Sequence, residues 1–309
     1  MSTVRMTQGM MNRQAQTGLQ AGLNRLAKVQ EQLTTGRIIN RPSDDPTGAT
    51  SAMRIRASVA DQQQYVRNAN DGLGWLNQID STLSSATDQV RRAYEIALQG
   101  ANDGSLGQQA RDALATEIDQ IRQGLMSTSN AAYLNRPVFG GVTAGATAYA
   151  VDTTDPVDPT RIKYVPAATY PVQGVIRTVA DGAQVRVDVE GPDVFGADGS
   201  SIFDHLSALS TALKTGDSTG ISSAVGLLEA DRERITNVQA DIGARTKRVE
   251  QARDAASDAE LRLTSSLSEV ENTDLVKASV DLKLQEVGYQ AALSATARVM
   301  QPSLLDFLR

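Results

Sequence analysis

A seven-residue apolar repeat near the C-terminal end constrains the fold more than any other feature of the chain. Apolar side chains recur at this interval without a gap, at Ile221, Leu228, Ile235, Ile242, Val249, Ala256, Leu263 and Val270. In an α-helix this spacing places one apolar stripe along one face, as in long helices that pack almost parallel to a neighbour. The second seam of the repeat is mixed, because it includes Asp231 and Arg245. A two-stranded zipper alone therefore does not account for the pattern.

Shorter stripes of the same kind occupy the first half of the chain and its last segment. In the first half they comprise Leu19, Leu23, Leu26 and Leu33, then Leu76, Leu83, Val90 and Ala97, then Leu114, Ile118, Ile121 and Leu125. The last segment carries Leu275, Ala278, Leu282, Tyr289 and Val299 on one face. A helix with a single stripe is marginal until that stripe is covered, so we expect the two flanks to pack together.

The middle of the chain has a different pattern. Between positions 137 and 201, Gly, Pro, Asp and Thr are frequent and the runs of β-forming residues are short. Strands are predicted at 147–151, 162–165, 172–179 and 185–189, followed by a helix at 201–214. The predicted fold class is mainly α: a long helical bundle or coiled coil formed by both termini, with a small β-rich domain inserted in the middle.

Composition removes several classes of function. The 309 residues include no Cys, which excludes a disulfide scaffold, a thiol nucleophile and a Cys-based metal site, and a single His, which excludes most His-cluster metal sites. The net charge is −6 and Arg is interleaved with acidic residues, so no basic face is available for a nucleic acid or an anionic membrane. No nucleophile and base stand out as a pair, and we therefore predict neither an enzyme nor a bound cofactor.

Neither the first residues nor the apolar segments indicate a cleavable signal peptide or a membrane-spanning helix. The start has no apolar block followed by a small-residue cleavage site, and no segment reaches the length of a spanning helix. Export by a dedicated machine that needs no cleavable signal remains compatible with this pattern.

The stretch Asn40-Arg-Pro-Ser-Asp-Asp-Pro46 predicts a sharp joint between two helices. Pro42 keeps the residue before it out of the helical region. Asp45 is a good N-cap ahead of a proline, and the carboxylates of Asp44 and Asp45 are expected to meet the positive end of the second helix. One interpretation is simply a well-capped joint; the other adds that Arg41 and the two carboxylates touch a neighbouring subunit.

Three motifs resemble those of bacterial flagellins and their hook–filament junction relatives. The joint motif is similar to the family's N-terminal hallmark, and Asn130-Ala-Ala-Tyr-Leu-Asn-Arg-Pro-Val-Phe-Gly-Gly141 to its exit into the variable domain. The stretch from Thr273-Asp-Leu-Val-Lys-Ala278 to Arg298-Val-Met-Gln-Pro-Ser-Leu-Leu-Asp-Phe-Leu308 resembles its C-terminal segment. The chain's ending favours the junction members over flagellin, because Asp306-Phe307 departs from the usual flagellin ending.

The resemblance covers 1–141 and 215–309 and implies three parts. These are terminal coiled-coil arms at 1–41 and 271–309, a long helical bundle domain at 42–137 and 215–270, and a variable β-rich outer domain at 138–214. The arms would line an axial channel and drive polymerisation. Each arm has one narrow stripe, so we expect its ordering to be coupled to assembly.

The resemblance also implies partners and contact residues. Partners would be further copies of the chain, the first hook-associated protein, flagellin and a flagellar export chaperone, with secretion through the flagellar export apparatus. The subunit contacts would be Leu19, Leu23, Leu26, Leu33, Arg41, Pro42, Asp44, Asp45, Leu275, Leu282, Tyr289 and Leu293. The chaperone would bind an apolar tail, by a helix-in-groove mode, at Leu304, Leu305, Phe307 and Leu308.

Two further functions are compatible with the heptads, and several single residues invite a functional interpretation. The chain could be flagellin itself, or a cytoplasmic coiled-coil signalling module, although the second would leave the β-rich insert without a role. Asp152, Asp155 and Asp158 lack the ligand spacing of a hand-type calcium loop and are predicted to form a solvated loop. Trp75 is predicted to pack in the core, His205 to be structural or solvent-facing, and Gly140-Gly141 to permit a positive φ.

Overall fold

The computed structural model describes residues 8–102, 107–141, 147–155, 158–165 and 174–300. The helices in these ranges are α1 Gln8–Thr35, α2 Pro46–Asn102, α3 Gln108–Ser129, α4 Gly191–Phe195, α5 Ile202–Thr215, α6 Ser218–Glu271 and α7 Leu275–Met300. The strands are β1 Ala132–Tyr133, β2 Arg136–Pro137, β3 Tyr149–Val151, β4 Ile162–Tyr164, β5 Ile176–Ala180 and β6 Ala183–Arg186. Long helices therefore flank a middle section of short strands, which confirms the predicted fold class.

The strands form three separate antiparallel pairs. β1 pairs with β2, β3 with β4 and β5 with β6, and each sheet has two strands. The predicted strands and the helix at 201–214 are found with shifted ends, although positions 172–173 lie outside the described residues. The β1–β2 hairpin and α4 were not predicted. Gly141 has a φ of 60°, as expected for the glycine pair at the start of the insert.

The chain divides into two compact units. Unit 1 comprises Met1–Ala60 and Ala259–Arg309, and unit 2 comprises Asp61–Asp258. Among the described residues of unit 1, the only buried apolar side chains are three alanines, Ala49, Ala52 and Ala278. The described part of unit 1 therefore has almost no apolar core. The three-part division expected from the sequence stays a prediction.

Unit 2 has one continuous apolar core shared by its helices and the middle section. The α6 stripe is fully buried in it at Ile221, Leu228, Ile235, Ile242 and Val249. The α2 stripe faces the same core at Trp75, Leu76, Ile79, Leu83, Ala86, Val90, Ala93 and Ala97. A fully buried Val, Leu or Ile contributes about 1.5–3 kcal/mol, so this shared core dominates the stability of unit 2.

The few aromatic residues are concentrated where the middle section meets this core. The cluster consists of Phe139, Tyr149, Tyr164, Phe195 and Phe203, with adjacent ring centroids 5.1–5.8 Å apart. Asn130, at the end of α3, ties this section down, because its amide donates to the carbonyl of Tyr149 and accepts from two backbone N–H groups.

The polar residues of the α6 seam bind α5 and the middle section. Asp231 is fully buried, and its Oδ2 lies 2.7 Å from Nδ1 of His205 on α5. Arg234 Nη1 lies 2.9 Å from the other Asp231 oxygen, at an angle too poor for a hydrogen bond. Arg245 donates to the carbonyls of Arg186 and Asp188. The mixed seam thus marks where α6 meets this section.

Replacing His205 with Phe should destabilise unit 2 by about 2 kcal/mol or more, because the buried Asp231 carboxylate loses its hydrogen-bonded partner. The double variant His205→Phe/Asp231→Leu, which removes the charge as well, should recover most of this loss. The measurement is urea unfolding of the three proteins. Equal stability of the single variant and the wild-type chain would contradict the expectation.

Candidate assembly surfaces

The joint between α1 and α2 is capped on both sides. α1 ends at Thr35, and Gly36 adopts a φ of 69°, the left-handed conformation of a residue just past a helix end. Asp45 Oδ1 accepts the N–H of Thr47 at 3.1 Å, and α2 begins at Pro46. The predicted N-cap is therefore confirmed, and the ten residues 36–45 join α1 to α2 without leaving an uncapped helix end at the joint.

The contacts of Asp44 differ from those that the sequence predicted. Its carboxylate accepts the backbone N–H groups of Asn40 and Arg41 and pairs with Lys28 of α1 at 3.2 Å, so it braces the joint against α1 and not against the start of α2. The prediction that it meets the helix end was wrong because these nearer donors hold it. The bond from Lys28, followed by that from the backbone of Arg41, lowers the pKa of Asp44.

Glu271, the last residue of α6, connects the joint to the turn before α7. Its side chain is only 5% exposed. Its Oε1 lies 2.6 Å from Arg56 Nη2, and its Oε2 lies 3.9 Å from Arg37 Nη1. The backbone is joined as well, since Ile38 N–H donates to the Glu271 carbonyl and Thr273 N–H to that of Gly36. A buried carboxylate with two guanidinium partners therefore anchors the joint.

A small cavity of 210 Å³ lies beside this anchor. Three guanidinium groups, of Arg37, Arg41 and Arg56, stand around it, and Glu271 is the one acidic residue in its lining. Arg41 Nη2 lies 3.2 Å from Glu31 Oε1, and the Arg41 side chain is largely exposed. Each of the three guanidinium groups around the cavity thus has an acidic partner.

The two terminal helices of unit 1 pack against each other in antiparallel fashion. Gly22 of α1 faces the Tyr289 ring of α7, and a Cβ at Gly22 would lie 3.3 Å from that ring. Arg25 Nε donates to Gln285 Oε1 at 3.4 Å, and Arg37 bridges to Asn272 at the far end of the pair. The order of these contacts shows that α1 and α7 run in opposite directions.

This pairing covers the predicted arm residues only in part. Leu19, Leu26, Leu33, Leu282 and Tyr289 are half-buried, whereas Leu23, Leu275 and Leu293 are exposed. Of the joint residues, Arg41, Pro42 and Asp45 are exposed and Asp44 is half-buried. Contact of these residues with a neighbouring subunit stays a prediction. The predicted chaperone contacts Leu304, Leu305, Phe307 and Leu308 lie outside the described residues.

A second apolar row on α7 was not predicted from the sequence. Val276, Val280, Leu284 and Val287 follow each other at four-, four- and three-residue steps, and their exposed fractions are 77, 56, 64 and 56%. This α7 row lies on the face opposite to Leu282 and Tyr289. The spacing is visible in the sequence, but the stripe through Leu282 already satisfies the helical period of this segment. A row of this kind is a candidate interface.

The acidic loop residues of the middle section are bound within the chain. Asp152 pairs with Lys163, Asp155 with Arg161, and Asp158 accepts from Thr160. The bonds from Lys163 and Thr154 lower the pKa of Asp152 to about 2. In the part of the chain that the structure describes, no group of three or more His, Cys, Asp or Glu residues could hold a metal ion. None of its described helices is long and apolar enough to cross a membrane.

The anchor at Glu271 can be tested by proteolysis. Glu271→Gln keeps the shape but removes the buried charge, which should cost the joint about 1–2 kcal/mol and raise the rate of trypsin cleavage after Arg37 roughly tenfold. Glu269→Gln, on the exposed face of the same helix, is the matched control. Equal cleavage rates for the two variants would show that Glu271 does not hold the joint.

Comparison with known proteins identifies both flanks. Residues 7–140 match the bacterial flagellin N-terminal helical region, and residues 225–308 match the bacterial flagellin C-terminal helical region. The matched regions contain the joint, the α1–α7 pair and the α7 row. The section between them, which holds the strand pairs β3–β4 and β5–β6, is matched by neither region.

Individual relatives agree over almost the whole chain. Flagellar hook-associated protein 3 of Escherichia coli is 24% identical, with 98% of this chain and 99% of the relative aligned. Flagellin of Halalkalibacterium halodurans is 23% identical, with 93% of each chain aligned. Among solved structures, flagellar hook associated protein-3 from Legionella pneumophila has a TM-score of 0.61 at 14% identity and covers 71% of this chain and 98% of its own. The chain belongs to the bacterial flagellin family.

Proposed function

We propose that this protein is a structural subunit of the bacterial flagellum that forms the junction between hook and filament, where it is the platform for flagellin polymerisation. The near-full-length likeness to flagellar hook-associated protein 3 of Escherichia coli supports this proposal. The structural observation that carries it is the contrast between the units. Unit 2 has a continuous core, whereas the described part of unit 1 buries only three alanine side chains among its apolar residues. Unit 1 therefore needs further surfaces to cover it.

Self-assembly would cover the terminal helices. α1 and α7 shield each other on one side, and the α7 row stays open on the other. Neighbouring copies would pack on this row and on the exposed arm residues Leu23, Leu275 and Leu293. Covering four such side chains in each copy supplies several kcal/mol, which is enough to couple arm ordering to assembly.

The three-part organisation is proposed for the assembled protein. The arms at 1–41 and 271–309 would form its inner part, the helical domain at 42–137 and 215–270 its middle part, and 138–214 its outer part. Arg41, Pro42, Asp44 and Asp45 would contact the neighbouring subunit at the joint. The exposure of Arg41, Pro42 and Asp45 supports this assignment.

The proposed partners are other flagellar components. They are further copies of the chain, the first hook-associated protein on the hook side, flagellin on the filament side, and an export chaperone on Leu304, Leu305, Phe307 and Leu308. Export through the flagellar apparatus would place the protein outside the cell. The absence of Cys supports passage as an unfolded chain, because no crosslink forms on the way. No enzymatic activity or cofactor is part of the proposal.

Flagellin itself is the second candidate function. The match to flagellin of Halalkalibacterium halodurans over 93% of each chain favours it. Both roles use the same assembly surfaces, and they differ in copy number and in position along the flagellum. The relatives named above give no such support to the signalling module.

Leu284→Asp should block assembly while leaving the folded monomer intact. The side chain is 64% exposed, so the change should alter the free energy of unfolding by no more than about 0.5 kcal/mol. In assembly, a buried carboxylate without a partner should abolish incorporation. The measurement is the amount of the chain in purified flagella, with urea unfolding of the secreted protein beside it.

Leu261→Asp is the matched control, because Leu261 on α6 is 71% exposed and lies outside the α7 row. Normal incorporation of Leu284→Asp, or equal loss for both variants, would contradict the assignment of the row to assembly.

Deletion of the gene tests the proposed function directly. The expected result is hooks without filaments, with unpolymerised flagellin shed into the medium, as measured by electron microscopy and immunoblotting. Hooks without filaments and without flagellin in the medium would make the chain the filament subunit. Normal motile filaments in a strain without a second copy of the gene would contradict both roles.

A further inference from the structure

The α1–α7 pair has an open apolar notch near one of its ends. The notch has a volume of about 290 Å³ and is lined by Met11, Gln14, Ala15, Ala295 and Thr296. Met11 is 41% exposed although it lines the notch. Methionine side chains are flexible and adapt to apolar partners of irregular shape. The notch is therefore an apolar surface that the two helices leave uncovered.

The register of the two helices brings the segment that follows α7 to this notch. Tyr289 of α7 faces Gly22 of α1, and the helices run in opposite directions. Counted outward from this contact, Gln8, where α1 begins, lies level with position 303. The described part of α7 ends at Met300. Residues 301–309, which we call the tail, therefore leave α7 beside the first turn of α1.

The tail can reach the notch but cannot reach the far end of the α7 row. Ala295 is about 7.5 Å from Met300 along the helix axis, and Val276 is about 36 Å away. An extended chain covers about 3.3 Å per residue, so Phe307 can lie up to about 23 Å from Met300. A short tether gives a segment an effective concentration in the millimolar range, and even a weak contact is then populated. The tail of the same chain is thus the best-placed occupant of the notch.

The tail supplies apolar side chains for the notch. Four of its nine residues are large and apolar, namely Leu304, Leu305, Phe307 and Leu308. Pro302 cannot continue the hydrogen-bond pattern of α7, and it keeps the residue before it out of the helical region. The sequence therefore favours a change of direction between α7 and the four apolar side chains, which would turn them back toward the notch.

The charges near the notch favour the same segment. Asp306 is the only acidic residue of the tail and lies among its apolar side chains, whereas the basic Arg309 follows them. The first thirty residues of the chain contain four basic residues and no acidic one, and the positive end of the α1 dipole lies at Gln8. Arg298, one turn after Ala295, is exposed and forms no ion pair with another described residue. This end of the pair would therefore attract the Asp306 carboxylate.

We propose that the tail folds back on its own chain and places Phe307 in the notch between α1 and α7, with Asp306 toward Arg298. The contact would form in the assembled subunit, where neighbours hold the α1–α7 pair together, and it would close this end of the pair. The seated tail hides the side chains that the export chaperone is proposed to bind. The notch and the chaperone would then compete for one segment, a consequence that rests on the proposed function.

Disulfide formation in purified flagella tests the proposal, because the chain has no Cys of its own. Gln14→Cys/Arg309→Cys changes no apolar residue and places one sulfur in the notch and the other beside Leu308. Two Cys form a disulfide only when their Cα atoms lie within about 7 Å of each other. Copper-catalysed oxidation should give an intrachain disulfide, seen as a band of single-chain mass whose mobility changes on reduction. Arg13→Cys/Arg309→Cys, on the opposite face of α1 from Met11, is the matched control and should stay mostly reduced.

Each alternative has its own result. A product of twice the chain's mass would show that the tail of a neighbouring copy occupies the notch, and it would overturn the proposal. Absence of a disulfide, or equal yields for Gln14→Cys/Arg309→Cys and its control, would overturn it too. Filaments that form without the gene would contradict the proposed function instead.

Filling the notch gives a second measurement. Ala295→Leu, added to Gln14→Cys/Arg309→Cys, occupies the space proposed for Phe307 and should lower the disulfide yield several-fold. Ala297→Leu makes the same change at an exposed position on the opposite face of α7 and should leave the yield unchanged. Equal yields with these two substitutions would contradict the placement of Phe307 in the notch.

Discussion

Burial of the α6 stripe organises unit 2. Five branched aliphatic side chains, from Ile221 to Val249, are removed from water against α2, α3, α5 and the middle section at once. The stripe forces α6 to be one unbroken helix in this region, since a break would expose part of it. The strand pairs are too short to be stable alone, and they depend on the same core. Loss of this packing would release every other element of unit 2.

Unit 1 is stabilised in a different way from unit 2. Its two terminal helices meet at Gly22 and Tyr289, and the joint between α1 and α2 is held by the charge of Glu271, but few of its described apolar side chains are buried. A helix pair with so little core is stabilised mainly by what packs on it. The α7 row shows where such packing would occur. The same sequence thus yields one self-sufficient unit and one whose stability is proposed to come from its neighbours.

The repeat predicted the long helices because a seven-residue spacing over many turns fits a helix with one buried face and does not fit a strand. The joint could also be predicted, because Pro42 and Asp45 affect only the backbone of residues next to them in the sequence. Asp231 and Arg245 indicated that α6 makes polar contacts along this seam. Their partners could not be predicted, because His205 and the carbonyls of Arg186 and Asp188 lie far from them in the sequence. The contacts of Asp44 were predicted wrongly for the same reason, because its partner Lys28 lies on α1, away from it in the sequence. The β1–β2 turn was missed since Leu134-Asn135 carries no glycine.

Amide hydrogen exchange of α7, in the free chain and in the chain assembled in isolated flagella, would show whether unit 1 depends on its neighbours. We expect rapid exchange along α7 in the free chain, slowing at least about 100-fold on assembly, which corresponds to about 2.7 kcal/mol of added protection. Core amides of α6 near Ile235 and Ile242 should be slow in both. Equally slow exchange along α7 in both states would contradict this dependence, because the terminal helices would then be stable without neighbours.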